Sequence, residues 1–182
     1  MQKLCFSSEK TWFTSDTHFG HSNILKHAKR PFANSDEMDH VMIQRWNTCV
    51  GPNDCVYHLG DFAWGGAAKA EHYLKQLNGQ VFLVPGNHDK ASVCQSAAWA
   101  GVLPPIHCLK VNHPSVIHLV LCHYPMREWP KQYHGAVHLY GHVHGNLESL
   151  PGSVEVSVDC WDYRPIELDE LLTRRVFFNP TD

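Results

Sequence analysis

Short apolar runs of strand length recur along this chain, and each hands over at once to Gly or to a polar side chain able to bind metal. Thr11-Trp12-Phe13 leads into Ser15-Asp16-Thr17-His18, Cys55 to Leu59 into Gly60-Asp61, and Val81 to Val84 into Pro85-Gly86-Asn87-His88-Asp89. Val116 to Leu121 delivers Cys122-His123-Tyr124-Pro125, and Val137 to Tyr140 delivers Gly141-His142-Val143-His144. Helical spacing separates the first runs. Met38, Val41, Met42 and Trp46 follow Ser35, which the pattern makes an N-cap, and Ala70, Tyr73, Leu74 and Leu77 precede Gly79. Val154 to Val158 alternates and predicts one more, half-exposed strand. Strands alternating with helices predict an α/β layer fold, in which ligands gather outside the carboxyl ends of the strands. Five strand ends far apart in sequence then converge on one site. No linker, repeat or Pro/Gly-rich boundary interrupts the chain, so a single domain over residues 1–182 is expected.

Charge and composition narrow the chemistry. Lys plus Arg number 15 against 18 Asp plus Glu, a formal net charge of −3, which is not the basic surplus of a general nucleic-acid binder. The one concentrated basic patch, Lys26 to Pro31, reads as a solvated helix face. No apolar run is long enough to span a membrane, and MQKLCFSSEK lacks the apolar stretch of a signal peptide, so a cytoplasmic protein is expected. The seven cysteines include no CxxC pair and read as reduced, mostly buried thiols. Histidine is the anomaly, at 15 residues without a low-complexity tract. His58, His118 and His138 fall inside strand runs and read as packed sheet residues, and His107 and His113 as surface or loop.

Carboxylate, imidazole and amide oxygen are borderline-to-hard ligands, suited to Mn²⁺, Fe, Zn²⁺ or Ni²⁺. Asp16 with His18, and His142 with His144, are spaced so that extended backbone would put each pair on one face. The ordered blocks D-x-H, G-D, G-N-H-D, a lone H and G-H-x-H resemble the calcineurin-like metallophosphoesterases, over roughly residues 11 to 165. That resemblance implies a two-layer β-sandwich of mixed sheets flanked by helices, αββα, with a binuclear metal centre at one end. It puts Asp16, His18, Asp61 and His144 on one metal and Asp61, Asn87, His123 and His142 on the other, with Asp61 bridging. Mn²⁺ is the expected pair, with Fe, Zn²⁺ or Ni²⁺ as alternatives. It implies phosphoester hydrolysis by a hydroxide held between the metals, with His88 as general acid or charge stabiliser and Asp89 orienting and charging His88.

The substrate is restricted by departures from subfamily patterns. Gly60-Asp61-Phe62-Ala63 is not the GDxVDRG of protein phosphatases, and Gly86-Asn87-His88-Asp89 is not GNHE. There is no insertion for the lid of the lipid-precursor pyrophosphatases, and no added nuclease domain. The chain resembles minimal bacterial or phage-type members, for which a small phosphodiester substrate is expected, with monoesters or nucleotide pyrophosphates as alternatives. His21 and Asn23 lie on the site side and are candidates for substrate contact, as is Arg127, although for Arg127 the surface is the simpler reading. Trp64 suits either stacking at the mouth or core packing. Of the competing classes, a metal-binding or interaction module without catalysis predicts a missing ligand or a missing His88, and none is missing; a nucleic-acid-binding module predicts a basic face with interleaved aromatics, and Lys26 to Pro31 is the one basic patch.

Overall fold

A computed structural model describes residues 10–113 and 115–173; Cys5 and most of the amino-terminal segment read above lie outside them. The first sheet holds β1 (Thr11–Thr14), β2 (Cys55–His58), β3 (Gln80–Leu83), β4 (Gly101–Val102) and β9 (Ile166–Glu167), in the order β4-β3-β2-β1-β9. Its strands are parallel except β9, which runs antiparallel to β1. The second sheet, β5-β6-β7-β8, comprises β5 (Ile106–His113), β6 (Ser115–Cys122), β7 (Val137–Tyr140) and β8 (Ser153–Glu155). Only the β5–β6 pair in it is antiparallel. Both sheets are therefore mixed, as expected. The helices are α1 (Ile24–His27), α2 (Ser35–Cys49), α3 (Ala67–Leu74), α4 (Ala91–Cys94) and α5 (Leu168–Thr173).

Period-two alternation sorts the core into two layers. Trp12 and Val56 point toward α2 and α3, where they pack with Met38, Met42, Trp46, Ala70, Tyr73 and Leu74. Their neighbours Phe13 and Tyr57 face the second sheet and pack with Leu119, Leu121, Leu139 and Val156. Strands covered on both faces read as unbroken apolar runs, which is why the pattern of TWFT and CVYH was legible. Among the described residues, the outer face of the second sheet carries a small cluster of its own. Trp129 seals Val120 and Ala136, and the segment carrying it contains only the 3-10 turn Gln132–His134.

Several local expectations need correction. The cap of α2 is Asn34, whose side chain accepts from Glu37 N at 2.9 Å, while Ser35 Oγ turns to Ser22 Oγ at 3.1 Å. The strand predicted over 154–158 is Ser153–Glu155, and it is largely buried. The chain then bends into an isolated bridge, Ser15 to Ser157, that ties the two sheets together. His107 belongs to β5, where Leu109 and Val111 alternate inward, and not to a loop. Cys55 is disulfide-bonded, and Cys108 and Cys160 are exposed, so the cysteines are not uniformly reduced and buried. Among the described residues no helix is long and apolar enough to cross a membrane.

Register positions the site. Thr14 pairs with His58, and His58 with Leu83, so three parallel strands end at one level. Leu121 pairs with Leu139, which levels β6 with β7 across the sandwich. The five loops expected to carry ligands therefore start side by side.

Candidate metal centre

Backbone pairing continues past the strands and fixes the loops. Asp16 N donates to Gly60 O at 2.9 Å, His18 N to Asp61 O at 3.0 Å, and Gly141 N to His123 O at 3.0 Å. The loops approach so closely that a Cβ on Gly86 would strike Asp61, and one on Gly141 would strike Ser15 and Asp16. The x-spaced pairs are not extended as expected. Asp16 (φ 57°), His18 (φ 49°), Asp61 (φ 58°), His142 (φ 75°) and His144 (φ 51°) all occupy the left-handed region, where non-glycine residues are uncommon and strained. The chain thus coils past the ends of β1, β2 and β7, sending His142 and His144 to different partners.

Two groups of side chains result. Asp16, His18 and His144 can each turn a ligand atom to one point, as can Asp61, His123 and His142, with the atoms of each group within 4.8 Å of one another. Asp61 lies between the groups: its Oδ2 is 3.6 Å from His18 Nε2 and 3.5 Å from His123 Nε2. Asn87 Oδ1 meets His123 Nε2 at 2.9 Å. All seven expected ligands are therefore brought together. His123 Nδ1 bonds Leu59 O at 2.7 Å and His144 Nδ1 bonds Asp159 Oδ2 at 2.7 Å, which leaves both Nε2 atoms turned inward.

The donor set fits divalent cations. Asp16 Oδ1 and His18 Nε2 are buried without a hydrogen-bond partner, a costly arrangement unless a ligand meets them. Burial holds His18 down at about 2, so its imidazole is neutral and able to coordinate. His142 is likewise pushed down by burial and by His123. For Asp61 burial acts upward, but the neighbouring His123 and the His88 amide outweigh it and hold the carboxyl at about 2. Burial also presses down on His123 and His144, and there the carboxylates around them prevail and raise both. Cations at these two points would displace those protons.

Support for the site comes from residues that the sequence patterns missed. Arg30, read above as part of a solvated helix face, is 4% exposed and lies beyond the end of α1. It grips Asp159 twice at 2.8 Å and donates to Asp16 O at 2.6 Å and Thr17 O at 3.0 Å. Asp159 in turn orients His144, so one buried ion pair clamps the loops of β1 and β7. Asp39 accepts Gly20 N at 2.9 Å and Tyr73 Oη at 2.7 Å, pinning the turn that carries His18 and His21. Asp159→Asn is expected to weaken metal binding at the His144 side by about 10–100-fold. Calorimetric titration with Mn²⁺ measures this, and affinity equal to wild type would remove Asp159 from the site's support.

The remaining candidates divide. His88 is at the centre: its backbone N donates to Asp61 Oδ1 at 2.8 Å, and its half-exposed ring lies 3.9 Å from Asp61 Oδ2 and edge-on to His18. Asp89 has a task different from the one expected. Its carboxylate accepts the backbone N–H groups of Asp61 (2.7 Å), Gly86 (2.9 Å) and Phe62 (3.1 Å), so it ties two ligand loops together instead of orienting the His88 ring. His21 packs against His18 and Trp64. Asn23 is exposed at the start of α1, and exposed Arg127 lines a groove with Met126, Leu147 and Leu150; among the described residues neither is hydrogen-bonded or ion-paired to the ligand groups.

A two-sheet sandwich with Asp and His clusters at its levelled strand ends is an arrangement able to hold divalent cations. The chain belongs to the calcineurin-like phosphoesterase family, which residues 9–113 match. An uncharacterized protein of Methanocaldococcus jannaschii is 34% identical over 172 residues, which is 90% of this chain and 89% of that one. The gene 66 protein of Mycobacterium phage L5 is 25% identical over 194 residues, 88% of this chain and 91% of its own. A solved structure from Aquifex aeolicus, of a protein of unknown function, superposes with a TM-score of 0.73 and 26% identity. That match covers 91% of this chain and 99% of the other.

Proposed function

We propose that this protein hydrolyses small phosphodiesters, and monoesters more slowly, at a centre of two divalent ions. Asp16, His18, Asp61 and His144 hold one ion, and Asp61, Asn87, His123 and His142 hold the other. The observation that carries the reading is the position of Asp61 Oδ2, within 3.6 Å of the inward nitrogens of both groups. Mixed oxygen and nitrogen donors without thiolate suit Mn²⁺, Fe, Zn²⁺ and Ni²⁺ alike, and Mn²⁺ is the pair proposed. When bound, such a pair supplies positive charge to the phosphoryl oxygens and acidifies water.

The chain's own residues do the rest. Two carboxylates, Asp16 and Asp61, against two divalent ions leave about two units of positive charge, so an acidic protein can still attract a phosphate. His88, on the solvent side of Asp61, is placed to give a proton to the departing oxygen. Arg30, Asp159 and Asp89 keep the loops from relaxing. A cytoplasmic setting belongs to the same proposal; among the described residues five cysteines are free, which suits it, and Cys55 is disulfide-bonded, which does not.

The test is hydrolysis of bis-p-nitrophenyl phosphate beside p-nitrophenyl phosphate by chelator-stripped protein. The stripped protein is expected to be inactive and Mn²⁺ to restore activity, with the diester preferred. Silence toward both esters with Mn²⁺, Fe²⁺, Zn²⁺ and Ni²⁺ would overturn the hydrolase reading.

A further inference from the structure

The chain has six tryptophans. Trp12, Trp46, Trp99, Trp129 and Trp161 are each 8% exposed or less, whereas Trp64 is 50% exposed. Loose anchoring does not explain this, because Trp64 N donates to Phe19 O at 2.8 Å and the neighbouring Ala63 bridges Phe19. Phe62, two residues earlier, is fully buried, so the core is complete without the indole.

What holds the ring is the site. The Trp64 indole lies parallel to the His21 imidazole, with centroids 4.4 Å apart and an interplanar angle of 7°. His21 packs 5.4 Å from the ring of the candidate ligand His18, and Trp64 lies 6.0 Å from the ring of His88. Since the imidazole covers one side of the indole, the exposure belongs to its other side and edge. The next two residues, Gly65 (φ 109°) and Gly66 (φ 84°), take conformations that side chains rarely adopt and bring no side chain of their own to the ring. His21 Nδ1 is buried without a hydrogen-bond partner, leaving a polar atom beside the shelf that the fold does not satisfy.

We propose that Trp64, backed by His21, is a stacking shelf for a nucleobase, and that the physiological substrate is a nucleoside phosphoester whose base lies on the indole while its phosphate faces His88. Aromatic shelves accept any base through its π face, so the shelf selects for a nucleoside without selecting among bases. The proposal rests on the hydrolase reading for the phosphate end only.

Two diesters with the same leaving group separate the shelf from the chemistry: the p-nitrophenyl ester of thymidine 5′-monophosphate and methyl p-nitrophenyl phosphate. Wild type is expected to prefer the nucleoside ester, chiefly through KM. Trp64→Ala is expected to lower the kcat/KM ratio of the two by about tenfold, the range of one base stack, and Trp64→Phe to keep most of it. Calorimetric binding of adenosine 5′-monophosphate against ribose 5-phosphate on the same three proteins needs no turnover. A ratio that Trp64→Ala leaves intact, or equal binding of the two phosphates by wild type, overturns the shelf. If neither diester is cleaved but the nucleotide still binds more tightly and loses that advantage in Trp64→Ala, the hydrolase reading fails and the shelf stands.

Discussion

Asp61→Asn is expected to abolish hydrolysis and to empty both halves of the centre. The substitution keeps shape and removes charge from the one carboxylate that faces both groups of ligands, 3.6 Å from His18 Nε2 and 3.5 Å from His123 Nε2. Half of the site's anionic charge goes with it, so the cations meet more mutual repulsion, and one neutral amide oxygen is left where two charged oxygens stood. Losing an outer-sphere partner already costs a metal site about 10–100-fold; losing a shared ligand should exceed that, with p-nitrophenolate release down by more than about 100-fold. Metal analysis after dialysis decides the point. One ion retained at wild-type affinity would assign Asp61 to the His123 and His142 group alone and remove it from the bridge.

His88→Ala separates proton transfer from metal binding. The bond that fixes Asp61 comes from the His88 backbone N–H at 2.8 Å, which alanine retains. The imidazole is 41% exposed and belongs to neither group of converging ligand atoms. Turnover should fall by about 10²–10⁴-fold, the range for a lost general acid, while both ions stay. Loss of the ions together with activity would make His88 part of the cage.

What the sequence disclosed was whatever two local patterns could carry. Apolar runs marked β1, β2, β3, β6 and β7, and the residues after them are the ones that converge. Strands of two residues such as β4 and β9 carry no period to detect, and β5 spreads its inward residues so thinly that His107 reads as loop. Arg30 and Asp159 stand 129 positions apart, and nothing in either neighbourhood announces the other. Asp89 was visible as a residue but not in its task, because a carboxylate that gathers three backbone N–H groups has the same letters around it as one that steers a histidine. The cap of α2 slipped by one residue because Asn34 and Ser35 both suit the position.

The left-handed turns at Asp16, His18, Asp61, His142 and His144 give the centre a history as well as a shape. Each holds an L-residue where glycine would be at ease, at a cost of about 1 kcal/mol or more. Selection for folding alone would erode these five letters first, toward glycine or asparagine, and the scaffold would become more stable as it fell silent. A descendant of this chain freed from its chemistry should therefore betray itself at those positions long before its strands lose their apolar runs.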